Sequence, residues 1–213
     1  MNHVLVAPPG SKALLVLAHG AGAGMRHPFL ERMAEALGER AVATYRYEFL
    51  YMEKRAGRPD SPVVAEARVR DAVIDAARVA PGLPLVAGGK SFGGRMTSQA
   101  QAGEPLPGVH GLVFLGFPLH PPGRPATSRG DHLDDVLIPM LFLQGSRDEF
   151  AGLDLLKPVV KRLRDRATLH VIEGGDHSFK VLKRSGRTDT EALAELADTI
   201  ASWVANPGAM PRG

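Results

Sequence analysis

Ser91 stands in the run Gly89-Lys90-Ser91-Phe92-Gly93, with Gly94 next, immediately after the apolar stretch 83–87. A serine flanked by small residues between a strand and a helix suits a sharp turn, because bulkier neighbours would clash in its strained backbone. The hydroxyl then projects past the end of the sheet, and the following helix aims its partly positive N-terminus at the same point. That is where a nucleophile belongs. A glycine-rich phosphate turn is the competing reading, but neither Gly-x-x-x-x-Gly-Lys-Ser/Thr nor Gly-x-Gly-x-x-Gly occurs at this position.

A hydroxyl attacks only with a base to take its proton, and the base needs an orienting group. Asp148 follows the apolar run 140–143 through Gln144-Gly145-Ser146-Arg147, and His177 follows 169–172 through Glu173-Gly174-Gly175-Asp176. Both fall just past the carboxyl ends of strand candidates, where open α/β sheets carry their ligand-handling loops. The chain order is then nucleophile, acid, base. The other candidates fit less well. Asp154 belongs to a helix, Asp176 shapes the turn before His177, and His170 lies inside a strand. His120 and His132 precede the aspartate-bearing strand, while His3, His27 and His110 lack an acid–base context.

His19-Gly20-Ala21-Gly22-Ala23-Gly24 follows the apolar run 14–18. A tetrahedral intermediate carries negative charge on the former carbonyl oxygen, and losing one backbone donor to it typically costs about 3–4 kcal/mol. Phe92, the residue after the nucleophile, and Ala21 in the glycine-rich turn are the expected oxyanion donors; His19 is expected to brace the loop. Gly22, Arg26, Lys90, Arg95 and His120 are the residues placed to touch substrate. Lys90 and Arg95 would suit a carboxylate or phosphate, with a surface ion pair as the bland alternative.

Together these segments resemble the α/β-hydrolase superfamily over about residues 12–205, and within it the small branch related to dienelactone hydrolases. The stretch Phe117-Pro118-Leu119-His120-Pro121-Pro122-Gly123 is similar to a segment of the hydrolase-like domain in testis-expressed proteins and a chromatin-complex (non-specific-lethal) subunit. The resemblance implies an α/β-hydrolase fold without a cap domain and acyl transfer through Ser91, Asp148 and His177. A dienelactone hydrolase would usually carry a cysteine nucleophile, so Ser91 argues against that activity. The rival implication is a binding or scaffold module that keeps the fold without turnover.

The elements that must position these residues are legible as a pattern. Apolar runs at 4–7, 14–18, 41–47, 85–87, 111–117, 140–143 and 169–172 alternate with helical patterns near 28–39, 62–79, 92–102, 152–165 and 189–204. That alternation predicts a mostly parallel central sheet with helices on both faces. In the second helix, Val63, Ala67, Val69, Val73, Ala76 and Ala77 are expected on one face; in the last, Ala192, Leu196, Thr199, Ile200 and Trp203. Residues 118–137, broken by Pro118, Pro121, Pro122, Gly123 and Pro125, should be irregular and too polar for a helical lid. Against the larger members of the superfamily that the chain resembles, the strands before Leu14 are abbreviated, which implies a sheet of fewer strands.

With 213 residues, 44% of them hydrophobic and 23% charged, one globular domain over 1–205 is expected, with 206–213 a flexible tail. The absence of cysteine excludes disulfides, thiolate zinc sites and a cysteine nucleophile. The start MNHVLVAPPGSK lacks a signal-peptide pattern and no apolar run reaches membrane-spanning length, so a cytoplasmic protein without membrane contact is expected. Nine cations between Lys157 and Arg187 face Asp165, Glu173 and Asp176. Without aromatic platforms this reads as a solvated face, not a nucleic-acid surface. The expected partner is a small acyl substrate, with no cofactor and no metal.

Overall fold

The computed structural model of the chain describes residues 1–205. Its strands are β1 (His3–Val6), β2 (Ala13–Ala18), β3 (Val42–Tyr47), β4 (Leu85–Lys90), β5 (Val109–Leu115), β6 (Met140–Gly145) and β7 (Ala167–Ile172). The helices are α1 (Pro28–Gly38), α2 (Leu50–Glu53), α3 (Pro62–Val79), α4 (Phe92–Gly103), α5 (Leu153–Arg162) and α6 (Asp189–Ala205). The expected tail, 206–213, lies outside the described residues.

The apolar runs become strands because both faces of the sheet are covered: every residue of β2, β3 and β6 is buried. Side-chain alternation then sorts them. Leu14, Val16 and Ala18 join a core with residues of α3, α4 and α5, whereas Ala13, Leu15 and Leu17 join a second core with α1 and α6. Among the described residues no cap domain is inserted.

The strand order is β1-β3-β2-β4-β5-β6-β7. β1 runs antiparallel to β3, and all other neighbours are parallel. From β2 the chain goes outward to β3 and returns across β2 to β4. The loops leaving the carboxyl ends of β2 and β4 therefore diverge on either side of one switch point, which opens a crevice there.

Some expectations need correction. α3 buries Ala65, Arg68, Val69, Ala72, Val73 and Ala76. Val63 is 78% exposed, and Ala67 and Ala77 are exposed as well. The helix turned about its axis because Arg68 reaches inward, donating to the Glu48 carbonyl oxygen at 2.8 Å and pairing with Glu53. β4 runs on through Gly88, Gly89 and Lys90, poor strand formers on their own, because β2 and β5 pair with them on either side. β5 begins two residues before the expected start and stops at Leu115, since Gly116 takes φ +71° and no strand continues through that conformation. The four-residue α2 is too short to leave a periodic signal. Residues 118–137 are irregular apart from a 3-10 segment, Ser128–Asp135. Trp203 is fully buried, its ring packed so closely over Gly111 that a Cβ there would meet it at 2.6 Å.

Candidate active site

Ser91 links β4 to α4 with φ 49° and ψ −114°, a conformation disfavoured for any residue with a Cβ. Its backbone N–H donates to the Leu115 carbonyl oxygen at 3.1 Å, tying the turn to β5. The flanking glycines are required by close approach. A Cβ on Gly93 would lie 2.5 Å from the His19 carbonyl oxygen, and one on Gly89 would lie 2.6 Å from that of Ala18. Helix α4 thus starts directly against the end of β2, and only glycine lets it do so.

The hydroxyl this turn presents meets a ring. His177 Nε2 lies 2.8 Å from Ser91 Oγ, and Nδ1 lies 2.7 Å from Asp148 Oδ2. The three side chains come from loops after β4, β6 and β7, separated by 86 and 29 positions in sequence. Ser91 can donate its proton to Nε2 while Nδ1–H donates to the carboxylate. The Phe150 ring stacks on the imidazole at 4.1 Å and limits its rotation. Asp148 is buried, so its charge needs partners. It receives three donors: His177, Gln144 Nε2 at 2.6 Å on Oδ2, and the Phe150 N–H at 2.8 Å on Oδ1.

Opposite the hydroxyl lies the loop after β2. Within it, the Gly22 N–H donates to the Tyr51 hydroxyl at 3.2 Å and the Ala23 N–H to the Gly20 carbonyl oxygen at 3.3 Å. Ala21 lines the same cavity as Ser91. Phe92 is the first residue of α4, where a backbone N–H has no acceptor within the helix. His19 is fully buried; its Nδ1 meets the Gly20 carbonyl oxygen at 2.8 Å and its Nε2 accepts from the Phe49 N–H at 3.1 Å. Burial outweighs Glu48 nearby and holds its pKa below the ordinary histidine range. A neutral ring therefore braces the loop.

The cavity over Ser91 and His177 has a volume of about 300 Å³, with walls that include Ala23, Phe29, Leu30 and Phe150. A larger groove of about 680 Å³ lies along β7, edged by Lys157, Lys161 and Arg164, and holds none of the three residues above.

The sequence model of the alpha/beta hydrolase domain family matches residues 11–205. The chain belongs to this family. Solved structures share its fold. Dienelactone hydrolase from Anabaena variabilis is 22% identical with a TM-score of 0.73, covering 95% of this chain and 90% of that one. Est1E from Butyrivibrio proteoclasticus, solved with ferulic acid bound, is 17% identical with a TM-score of 0.71, covering 96% of each chain. A lidless α/β serine hydrolase from Xanthomonas campestris is 20% identical with a TM-score of 0.70, covering 94% and 88%.

In this α/β hydrolase, four residues expected at the substrate lie outside the cavity. Arg95, one turn into α4, is not among the cavity's walls; its Nε is buried without a hydrogen-bond partner, and burial, then the Arg129 charge, depresses its guanidinium pKa. Arg26 is exposed on the surface. Gly22 carries its N–H to Tyr51, and His120 is buried with Nδ1 against the Pro121 carbonyl oxygen at 2.8 Å. Adjacency along the chain did not place these residues in the cavity, because the partners that the fold supplies, Tyr51 for Gly22 and the Pro121 carbonyl for His120, are not visible in it. Lys90 does line the cavity.

Two contributors escaped the sequence reading. Gln144 is fully buried near the end of β6; besides holding Asp148 it accepts the Phe117 N–H at 2.9 Å. A polar side chain in an otherwise apolar strand, four positions before the acid, was the available signal. Phe150 had none, since an aromatic after an acid is commonplace. No helix of the described residues is long and apolar enough to cross a membrane.

Proposed function

We propose that the protein is a serine hydrolase that cleaves an ester or related acyl bond through an acyl-enzyme on Ser91. The observation that carries this reading is the unbroken line from Ser91 Oγ through His177 to Asp148. His177 takes the hydroxyl proton as Ser91 attacks the carbonyl carbon, and Asp148 stabilises the imidazolium formed. The Ala21 and Phe92 N–H groups hold the oxyanion. His177 then protonates the leaving group; in the second half it deprotonates the water that releases the acid. The small cavity favours short acyl groups over long lipid chains. No cofactor enters these steps. In this reading the protein works in the cytoplasm, on a small soluble substrate, as one domain over 1–205. Within the family, the segment 117–123 supports a place near the hydrolase-like domains of testis-expressed proteins and a chromatin-complex subunit.

A fluorophosphonate probe tests the reading, followed by turnover of short p-nitrophenyl esters. Wild type should label, and Ser91→Ala should not. In subtilisin, removing the nucleophile or base lowers kcat by about 10⁶, so His177→Ala should lose turnover almost entirely. A folded wild type that neither labels nor turns over would sink the hydrolase and leave a scaffold.

A further inference from the structure

Lys90 occupies an unusual position for a cation. It is the last residue of β4, and its Nζ is buried with no hydrogen-bond partner. The tip lies 5.6 Å from the centre of the Phe179 ring. A Cβ built on Gly116 would stand 3.1 Å from Lys90 Nζ, 3.3 Å from His177 Nδ1 and 3.4 Å from Asp148 Oδ2. Three polar atoms therefore ring one glycine, and one of them is an ammonium beside the acid–base pair.

We propose that Lys90 is a positioning residue for the base: its buried charge opposes a second positive charge on the resting His177 ring and keeps that ring free to accept a proton as the medium becomes more acidic. The inference rests on the serine-hydrolase reading and adds a device that sets where that hydrolase fails on the acid side. Like charges in a site shielded from water repel far more strongly than on a surface. The groups facing Lys90 are Asp148 after β6 and Asp176 and His177 after β7; His27, at the start of α1, shares the cavity. The two carboxylates favour the ammonium, but burial outweighs them and brings Lys90 down to about 8. It is therefore charged throughout the acid range where the base must stay free, and it loses that charge above about 8.

The same cation disfavours the imidazolium formed during attack. The device thus trades some rate near neutrality for function at lower pH. Asp148, paired directly with the ring, keeps the imidazolium accessible.

The test measures the rate constant for fluorophosphonate labelling of Ser91 between about pH 4.5 and 9. Wild type, Lys90→Met and Lys90→Arg are compared, with near-UV circular dichroism as the check of folding. Lys90→Met, close in shape and apolar, should move the acid limb upward relative to wild type. Lys90→Arg should keep the wild-type limb, and the wild-type and Met profiles should converge above about pH 8. A folded Lys90→Met protein with an unmoved limb overturns the inference alone. A wild type that never labels overturns the hydrolase reading and this inference with it.

Discussion

Gln144→Met separates the support of the acid from the acid itself. Gln144 is fully buried between two groups that need it: it donates to Asp148 Oδ2 at 2.6 Å and accepts from the Phe117 N–H at 2.9 Å. Methionine has similar length and no comparable donor or acceptor. The orphaned Phe117 N–H should cost about 1–3 kcal/mol, and the lost bond to a buried carboxylate about 1.5–3 kcal/mol. Better burial of the thioether offsets part of this, leaving about 2–4 kcal/mol. For a chain of this size that lowers Tm by roughly 4–16 °C. Activity should suffer less than stability suggests. Asp148 keeps two donors, the His177 ring and the Phe150 N–H, so its position is largely retained. Labelling by fluorophosphonate should fall about 10-fold, compared with about 10⁴ in kcat when the acid of a trypsin-type triad becomes an amide. Calorimetry with labelling kinetics on the same preparation reads both. An unchanged melting temperature would refute the premise that Gln144 supplies two buried bonds. A loss of labelling as large as that of Asp148→Asn would refute the claim that the remaining donors hold the acid.

Two further outcomes follow from the geometry. Ser91→Gly should abolish labelling yet stabilise the fold. Relief of the backbone conformation is worth about 1–3 kcal/mol, against roughly 0.5–1 kcal/mol for glycine's greater freedom when unfolded. A lower urea midpoint than Ser91→Ala would contradict the strain argument. His132, whose Nε2 meets the Ser98 hydroxyl at 2.7 Å, is pushed down to about 4 by burial and by Arg95. The unfolded chain therefore binds this proton at a higher pH than the folded one. Its contribution to stability is present above the ordinary value of 6.5 and is lost as pH falls through about 4. With discount for partial exposure, His132→Asn should remove about 1–3 kcal/mol of the stability change between those limits. Urea titrations of both proteins at each pH decide it; equal slopes against pH would rule the assignment out.

Much of this protein was legible along the chain, because the signals involved are local. Apolar runs bounded by glycine and proline marked the strands, and the flanking glycines of Ser91 announced close packing before any neighbour was visible. The order of Ser91, Asp148 and His177 followed from loops that leave the carboxyl ends of parallel strands on one side. Those features belong to spacing and residue type, so a linear reading can hold them.

Direction did not reside there. Whether Arg95 or Lys90 faces the hydroxyl depends on how α4 and β4 are rotated by everything packed on them, and that rotation keeps Arg95 out of the cavity and buries Lys90 beside His177. The burying face of α3 was set by Arg68 reaching Glu48 and Glu53, contacts between residues far enough apart that helical periodicity cannot weigh them. Gln144 shows the same division: its residue type was plain, but its role required the carboxylate of one loop and the amide of another to converge on it. Residue type and order settle which groups can do chemistry. Only the folded chain decides which of them meet, because the energy of a buried polar group depends on its partners and not on its place in the list.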